Sequence, residues 1–377
     1  MPERADASPR WMLRRAVKVA IAGGLTAARA HRVVAALRRR EAGGRRVMVV
    51  AYHRVTHDYP AAAQEGLSSL LVSATTLRRQ LEHLARTRDV VSLADAIRIL
   101  GEPPGAARRD VVALTFDDGY ADMAGVALPV LTALHLPATA FVVTGYVGTH
   151  RRLPHDRLYA ALAELSARGL SPRQAALPSP HQAWLDGCEA LGPAASLDRL
   201  IAHVPHPRLL LLADALAARV GQDERALAPG TRLMDWEEVR ALAAAGVDVG
   251  GHTVTHAALP LLSPRRARRE VEGCRAAIAA RLGRPPRHFC YPNGVHTPAV
   301  RALVARCGFE GAVTTEDREN VRGGDPLLLR RKMIWENTTL GPAGYSRALA
   351  TCNLEGVFHA LGLARAVPGE YGLQPYP

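Results

Sequence analysis

From residue 47 onward, short apolar runs alternate with stretches in which apolar residues recur at helical spacing. The runs 47–53, 89–92, 110–116 and 138–143 are predicted strands. Between them, 75–86 carries Leu77, Leu81 and Leu84 on one helical face with Ser73 or Thr75 as cap, and 93–100 and 121–134 also read as helices. The alternation returns at 236, with helices predicted over 236–245, 264–282 and 298–307 and strands over 247–250, 288–291, 311–315 and 327–334. Ser263 and Pro264 open the longest of these helices and Gly283 stops it.

Apolar strands alternating with helices imply a parallel sheet covered by helices, either a barrel or a doubly wound sheet. Residues 146–230 break the rhythm. They read as helical (156–167, 197–203, 208–220) with joints rich in proline around Pro178, Pro180, Pro205 and Pro207. The expectation is an insertion on the face where strands end, shaping access to a site.

Composition changes this picture in one place. The net charge of +13 resembles a nucleic-acid footprint until it is located. Residues 1–46 hold twelve Lys and Arg against Glu3, Asp6 and Glu41, a balance of +9, leaving +4 for the rest. No basic stripe interleaved with aromatics follows, so a nucleic-acid role is not expected. Residues 1–46 read as a basic extension to a domain spanning 47–377. Arg14, Arg15 and Lys18 ahead of a mostly apolar run, with Ala28-Arg29-Ala30 behind it, outline an export signal. The same residues also describe a helix lying on an anionic membrane surface. The expected location is cytoplasmic or peripheral to the membrane, with export left open. Five cysteines without a CxxC pair indicate neither a disulfide framework nor a Cys-based zinc site.

The candidate chemistry lies in two strings. Thr115-Phe116-Asp117-Asp118-Gly119-Tyr120 ends one predicted strand, and His252-Thr253-Val254-Thr255-His256 follows another. Two imidazoles and a carboxylate delivered from strand ends form a ligand set for a divalent metal with positions left open for water. A spare carboxylate beside them can act as a base, the kit for metal-assisted hydrolysis.

With their flanks, these strings resemble the polysaccharide deacetylase family with the NodB homology domain (carbohydrate esterase family 4). Leu233-Met234-Asp235-Trp236 and Pro137-Ala138-Thr139-Ala140-Phe141-Val142 add to the resemblance, which spans about 47–335. It implies a distorted (β/α) barrel and hydrolysis of the N-acetyl group of an amino sugar in a polysaccharide or glycan precursor. It also implies that Asp117 is the catalytic base and that Asp118, His252 and His256 ligate the metal, zinc by ligand type. In Phe289-Cys290-Tyr291-Pro292-Asn293-Gly294, the family places an oxyanion-binding backbone N–H at the Asn293 position.

Two departures are visible. Many members carry an Arg where this chain has Cys290, which reads as a packed small residue. Arg287, Arg330 and Arg331 are the possible replacements as partner of Asp117. The acid His of the usual Leu-x-His string is missing from Leu327-Leu328-Leu329-Arg330-Arg331, and Ala51-Tyr52-His53-Arg54 offers His53 instead, as in members that look circularly permuted. A lipid-linked or formylated amino sugar as substrate, or a silent carbohydrate-binding homologue, are the other readings left open.

Overall fold

A computed structural model describes residues 9–103, 109–222 and 229–363. Eight strands form one sheet: β1 (Val47–Tyr52), β2 (Asp89–Val91), β3 (Val111–Phe116), β4 (Thr139–Val142), β5 (Asp248–Gly251), β6 (His288–Cys290), β7 (Gly311–Val313) and β8 (Lys332–Met333). The order is β8-β1-β3-β4-β5-β6-β7, with β2 paired to the first half of β3, and every pairing is parallel. All residues of β1 and β3 are buried, as expected for parallel strands covered on both faces.

The predicted final strand, 327–334, divides in two. Leu329 bridges β7, donating to the Ala312 carbonyl and accepting from Thr314 N–H (2.9 and 2.8 Å), and only Lys332–Met333 pairs with β1. The chain crosses the seam between the first and last strands here, so one continuous strand cannot serve both neighbours. The result is a distorted barrel closed by a bridge. The helix predicted at 121–134 also splits, into a wide turn at Met123–Ala127 and a helix at Leu128–Ala133 that starts around Pro129. Elsewhere the predicted elements agree with the observed ones to within a few residues, and Ser73 caps Ala74–Thr87 by accepting from Thr76 N–H.

The segment 146–230 holds three helices, α3 (Pro154–Ala167), α4 (Pro193–His203) and α5 (His206–Val220), around a separate core that includes Leu158, Leu162, Leu200 and Leu212 and is joined by Leu67 and Leu70. Residues 223–228 of this segment lie outside the described residues. So do 1–8 of the basic extension and 364–377. The described part of the extension forms α1 (Pro9–Ala27) and α2 (Ala30–Glu41). Through Val19, Ala22 and Leu25, α1 packs on Leu349, Cys352, Val357 and Phe358.

At the opposite end from the strand tips, buried charges tie the C-terminal segment to the barrel. Arg46 donates to Asp110 (2.8 Å) and Glu355 (2.6 Å), and Arg88 also pairs with Glu355. Burial opposes charge on Glu355, but Arg88 and Arg46 outweigh it and hold its carboxyl below the ordinary 4.5. A lowered folded value means that Glu355 contributes stability above pH about 4.5 and loses it as pH falls through the folded value. Glu355→Gln leaves two buried guanidiniums undercompensated, with an expected loss of about 3–5 kcal/mol at pH 7. Urea unfolding at pH 7 and pH 3.5 checks this: the difference between variant and wild type should be smaller at the second pH than at the first.

Candidate metal centre

The site forms where β1, β3, β5 and β6 end. Asp117 N–H donates to the Tyr52 carbonyl (2.9 Å), which continues the β1–β3 ladder one step past the strand. Asp118 then turns into the left-handed region (φ 72°), a conformation that Asp tolerates better than most residues, and so its carboxylate points away from that of Asp117. After β5, the His252–His256 stretch is a series of turns rather than a helical turn, with Thr253 and His256 at φ 64° and 59°. Those dihedrals, not helical periodicity, bring the two rings together.

Asp118 Oδ1 lies 3.4 Å from His252 Nε2 and 3.2 Å from His256 Nε2. All three residues are buried, and Asp118 Oδ1 has no hydrogen-bond partner. His252 Nδ1 is 2.8 Å from the Cys290 carbonyl oxygen, which can only accept, so Nδ1 donates there and Nε2 is the nitrogen turned toward Asp118. An orphaned carboxylate oxygen facing two imidazole nitrogens is the donor set a divalent metal needs. These residues fit one.

Asp117, His252 and Cys290 form a second cluster of metal-binding atom types. Charge argues against metal binding there. Arg331 donates to both oxygens of Asp117 (2.8 and 2.7 Å) and approaches Cys290 Sγ at 3.2 Å, so a cation already occupies that side of the cluster. Burial pushes the Cys290 thiol up, which keeps it protonated and a poor ligand.

Arg331 resolves the first departure seen in the sequence. Its guanidinium also donates to Thr115 Oγ1 (3.0 Å) and the Thr314 carbonyl (2.8 Å), which fixes it under the carboxylate. Arg287 instead pairs with Glu310, and Arg330 with Glu316. Cys290 leaves room for an arginine arriving from the seam before β8. Burial opposes charge on Asp117, and Arg331 outweighs it, holding the carboxyl below its usual range. Asp117 is therefore an ionised carboxylate at neutral pH.

His53, one residue past β1, places Nε2 3.9 Å from Asp117 Oδ2 and is buried. Asn293 lies in the turn Pro292–Gly294 at φ 56° and lines a narrow cavity with His155, His206 and His256. Gly294 has φ 68°, and a Cβ there would strike Thr315, so the turn depends on glycine. The structure thus brings His53, Asp117, Asp118, His252, His256 and Asn293 to one end of the barrel.

Four further side chains in this wall, Tyr120, His155, Asp156 and His206, carry no expectation from the sequence, and all are supplied or met by the inserted segment. Tyr120 Oη donates to Asp156 Oδ2 (2.8 Å) and lies 2.9 Å from His155 Nε2, which is itself 3.8 Å from Asp118 Oδ2. His206 Nε2 lies 3.3 Å from Thr255 Oγ1, and burial, then the neighbouring His256, lowers its pKa to about 4. The only signal for these was the site-facing position expected of the insertion, because no spacing links residue 155 or 206 to the two strings.

Among solved structures, the deacetylase PplD from Streptococcus pyogenes, solved in complex with acetate, superposes with a TM-score of 0.50 at 18% identity, covering 79% of this chain and 95% of that one. IcaB from Ammonifex degensii gives a TM-score of 0.50 at 19% identity, with 78% and 94% covered. At these identities the likeness concerns the fold, and it agrees with the barrel described above. Comparison with curated proteins gives no match. A family model described as polysaccharide deacetylase matches residues 105–312, from just before β3 through β7, and so takes in both strings and the Asn293 turn. That match spans more than half of the sequence, and the chain belongs to the polysaccharide deacetylase family.

Proposed function

We propose that the protein is a metal-dependent hydrolase that removes the acetyl group from an N-acetylated amino sugar of a polysaccharide or glycan precursor. The observation that carries this reading is the separation of two adjacent carboxylates into different roles. Asp118 faces His252 and His256, while Asp117 is held by Arg331 and is free to take a proton.

Asp118, His252 and His256 would hold the ion, and two imidazoles with one carboxylate suit zinc. When bound, it supplies a Lewis acid that polarises the acyl carbonyl and acidifies a water. Asp117 accepts the proton of the attacking water as its oxygen bonds to the acyl carbon. The backbone N–H of Asn293 faces the oxygen that gains charge. His53 gives a proton to the amine as the C–N bond breaks, so the products are acetate and an amino sugar. The 3.9 Å between His53 and Asp117 supports a shared pocket for base and acid.

The test is acetate release from a panel of N-acetylated oligosaccharides and a polyprenyl-linked N-acetylated sugar, after chelation and after adding zinc. Release that disappears on chelation and returns with metal is the expected result. Formate rather than acetate from a formylated analogue, or turnover of the lipid-linked sugar alone, would narrow the substrate. Metal-free protein without activity on any member would leave a silent carbohydrate-binding homologue.

A further inference from the structure

A helix packed on a domain normally turns polar residues outward. Helix α1 is apolar on two sides. One side, with Val19, Ala22 and Leu25, is seated on the C-terminal helices. The other carries Leu13, Val17 and Ile21 at spacings of four, and these expose 43–67% of their surface. Helix α2 repeats the pattern with Val33 and Leu37, exposed by 62% and 52%. These five are half of the ten exposed large apolar residues among the described residues. Among the described residues nothing covers them.

Charge identifies the occupant. Residues 9–40 contain nine Lys and Arg and no acidic residue. Arg38 and Arg39 are spent on Glu319 and Asp110, Arg15 donates to the Asn337 carbonyl, and Lys18 lies over the Phe358 ring. Arg14, Arg29, Arg32 and Arg40 are exposed with no carboxylate within ion-pair distance among the described residues. An apolar stripe flanked by uncompensated arginines matches a surface with an apolar interior under an anionic layer. No described helix is long and apolar enough to cross a membrane. We infer that α1 and α2 form a docking face for an anionic lipid bilayer, with Leu13, Val17, Ile21, Val33 and Leu37 entering the acyl boundary and the arginines contacting headgroups. Because Ala22 stays seated on the body, the whole barrel is carried to the membrane. The inference stands apart from the reading of the metal site.

Co-sedimentation of the full chain with phosphatidylcholine vesicles, with and without one quarter phosphatidylglycerol, tests it. Binding to the anionic vesicles should exceed binding to the neutral ones at least tenfold and fall several-fold in 0.5 M salt. Leu13→Glu with Val17→Glu, and separately Val33→Glu with Leu37→Glu, should each lower binding at least tenfold while the thermal unfolding midpoint stays near that of wild type. Arg14→Glu with Arg32→Glu keeps the apolar stripe and should remove the preference for anionic lipid. Equal binding to both vesicle types, or full binding by the apolar variants, would overturn the inference. So would a wild-type dimer in solution that the Leu13→Glu, Val17→Glu variant dissociates, since the face would then belong to a second copy.

Discussion

Asparagine in place of Asp117 is expected to lower kcat by about 10²–10⁴-fold, the range for loss of a general base, while bound metal stays at the wild-type level. The two halves of this expectation come from one geometric fact. Asp117 and Asp118 are adjacent in sequence, yet the left-handed turn at Asp118 sends their carboxylates to different partners. Asparagine keeps the size and a carbonyl oxygen for Arg331, so the barrel end should be undisturbed. What it loses is the capacity to accept a proton at neutral pH. Metal content by mass spectrometry and acetate release on the same preparation check both halves. A variant keeping more than a tenth of wild-type kcat would remove Asp117 as base.

The second large effect is expected at Arg331. Its side chain is fully buried and bonds both oxygens of Asp117, so Arg331→Met leaves an uncompensated buried carboxylate. The expected cost is about 3–5 kcal/mol in stability. Without the guanidinium, burial, the largest influence on Asp117, is opposed only by His53 and His252 and pushes its pKa up, and a protonated Asp117 cannot act as base. Activity at neutral pH should therefore drop more than at alkaline pH, a profile that simple loss of fold would not produce. The position of the arginine offers a sharper check. Many relatives are expected to carry it where this chain has Cys290, whose Sγ is 3.2 Å from Arg331 Nη2. Adding Cys290→Arg to Arg331→Met should recover part of the lost activity. If the double variant is no better than Arg331→Met, the idea that one guanidinium reaches the base from either position fails.

Much of the barrel was legible because its strands are buried on both faces and so stand out as apolar runs between helical periods. The final strand misled for a physical reason. Residues 327–334 are apolar enough for one strand, but they serve β7 at Leu329 and β1 at Lys332–Met333, and sequence period cannot mark where a chain changes partner. The two strings marked a candidate metal site with a spare carboxylate through their residue types, and only the family resemblance divided Asp117 from Asp118 as expected base and expected ligand. The partner of Asp117 could be narrowed only to three arginines, because Arg331 meets it across 214 residues of sequence and nothing local distinguishes it from Arg330, whose side chain pairs with Glu316. His155 and His206 were invisible for the same reason. They reach the site by the docking of a helical segment, a tertiary event without a period or motif. The N-terminal extension was read from its charge. Its second apolar side emerged only once Ala22 was found packed, leaving Leu13, Val17 and Ile21 outside.

X-ray absorption at the metal edge of the zinc-reconstituted protein addresses the assignment of ligands most directly. The two clusters of metal-binding atoms share His252 and differ in one element, since one contains Asp118 and His256 and the other Asp117 and Cys290. The expected first shell holds nitrogen and oxygen only, at about 2.0–2.2 Å, and loses imidazole scattering in His256→Ala. A sulfur scatterer at about 2.3 Å, unchanged by that substitution, would place the ion between Asp117 and Cys290 and contradict Asp117 as the free base.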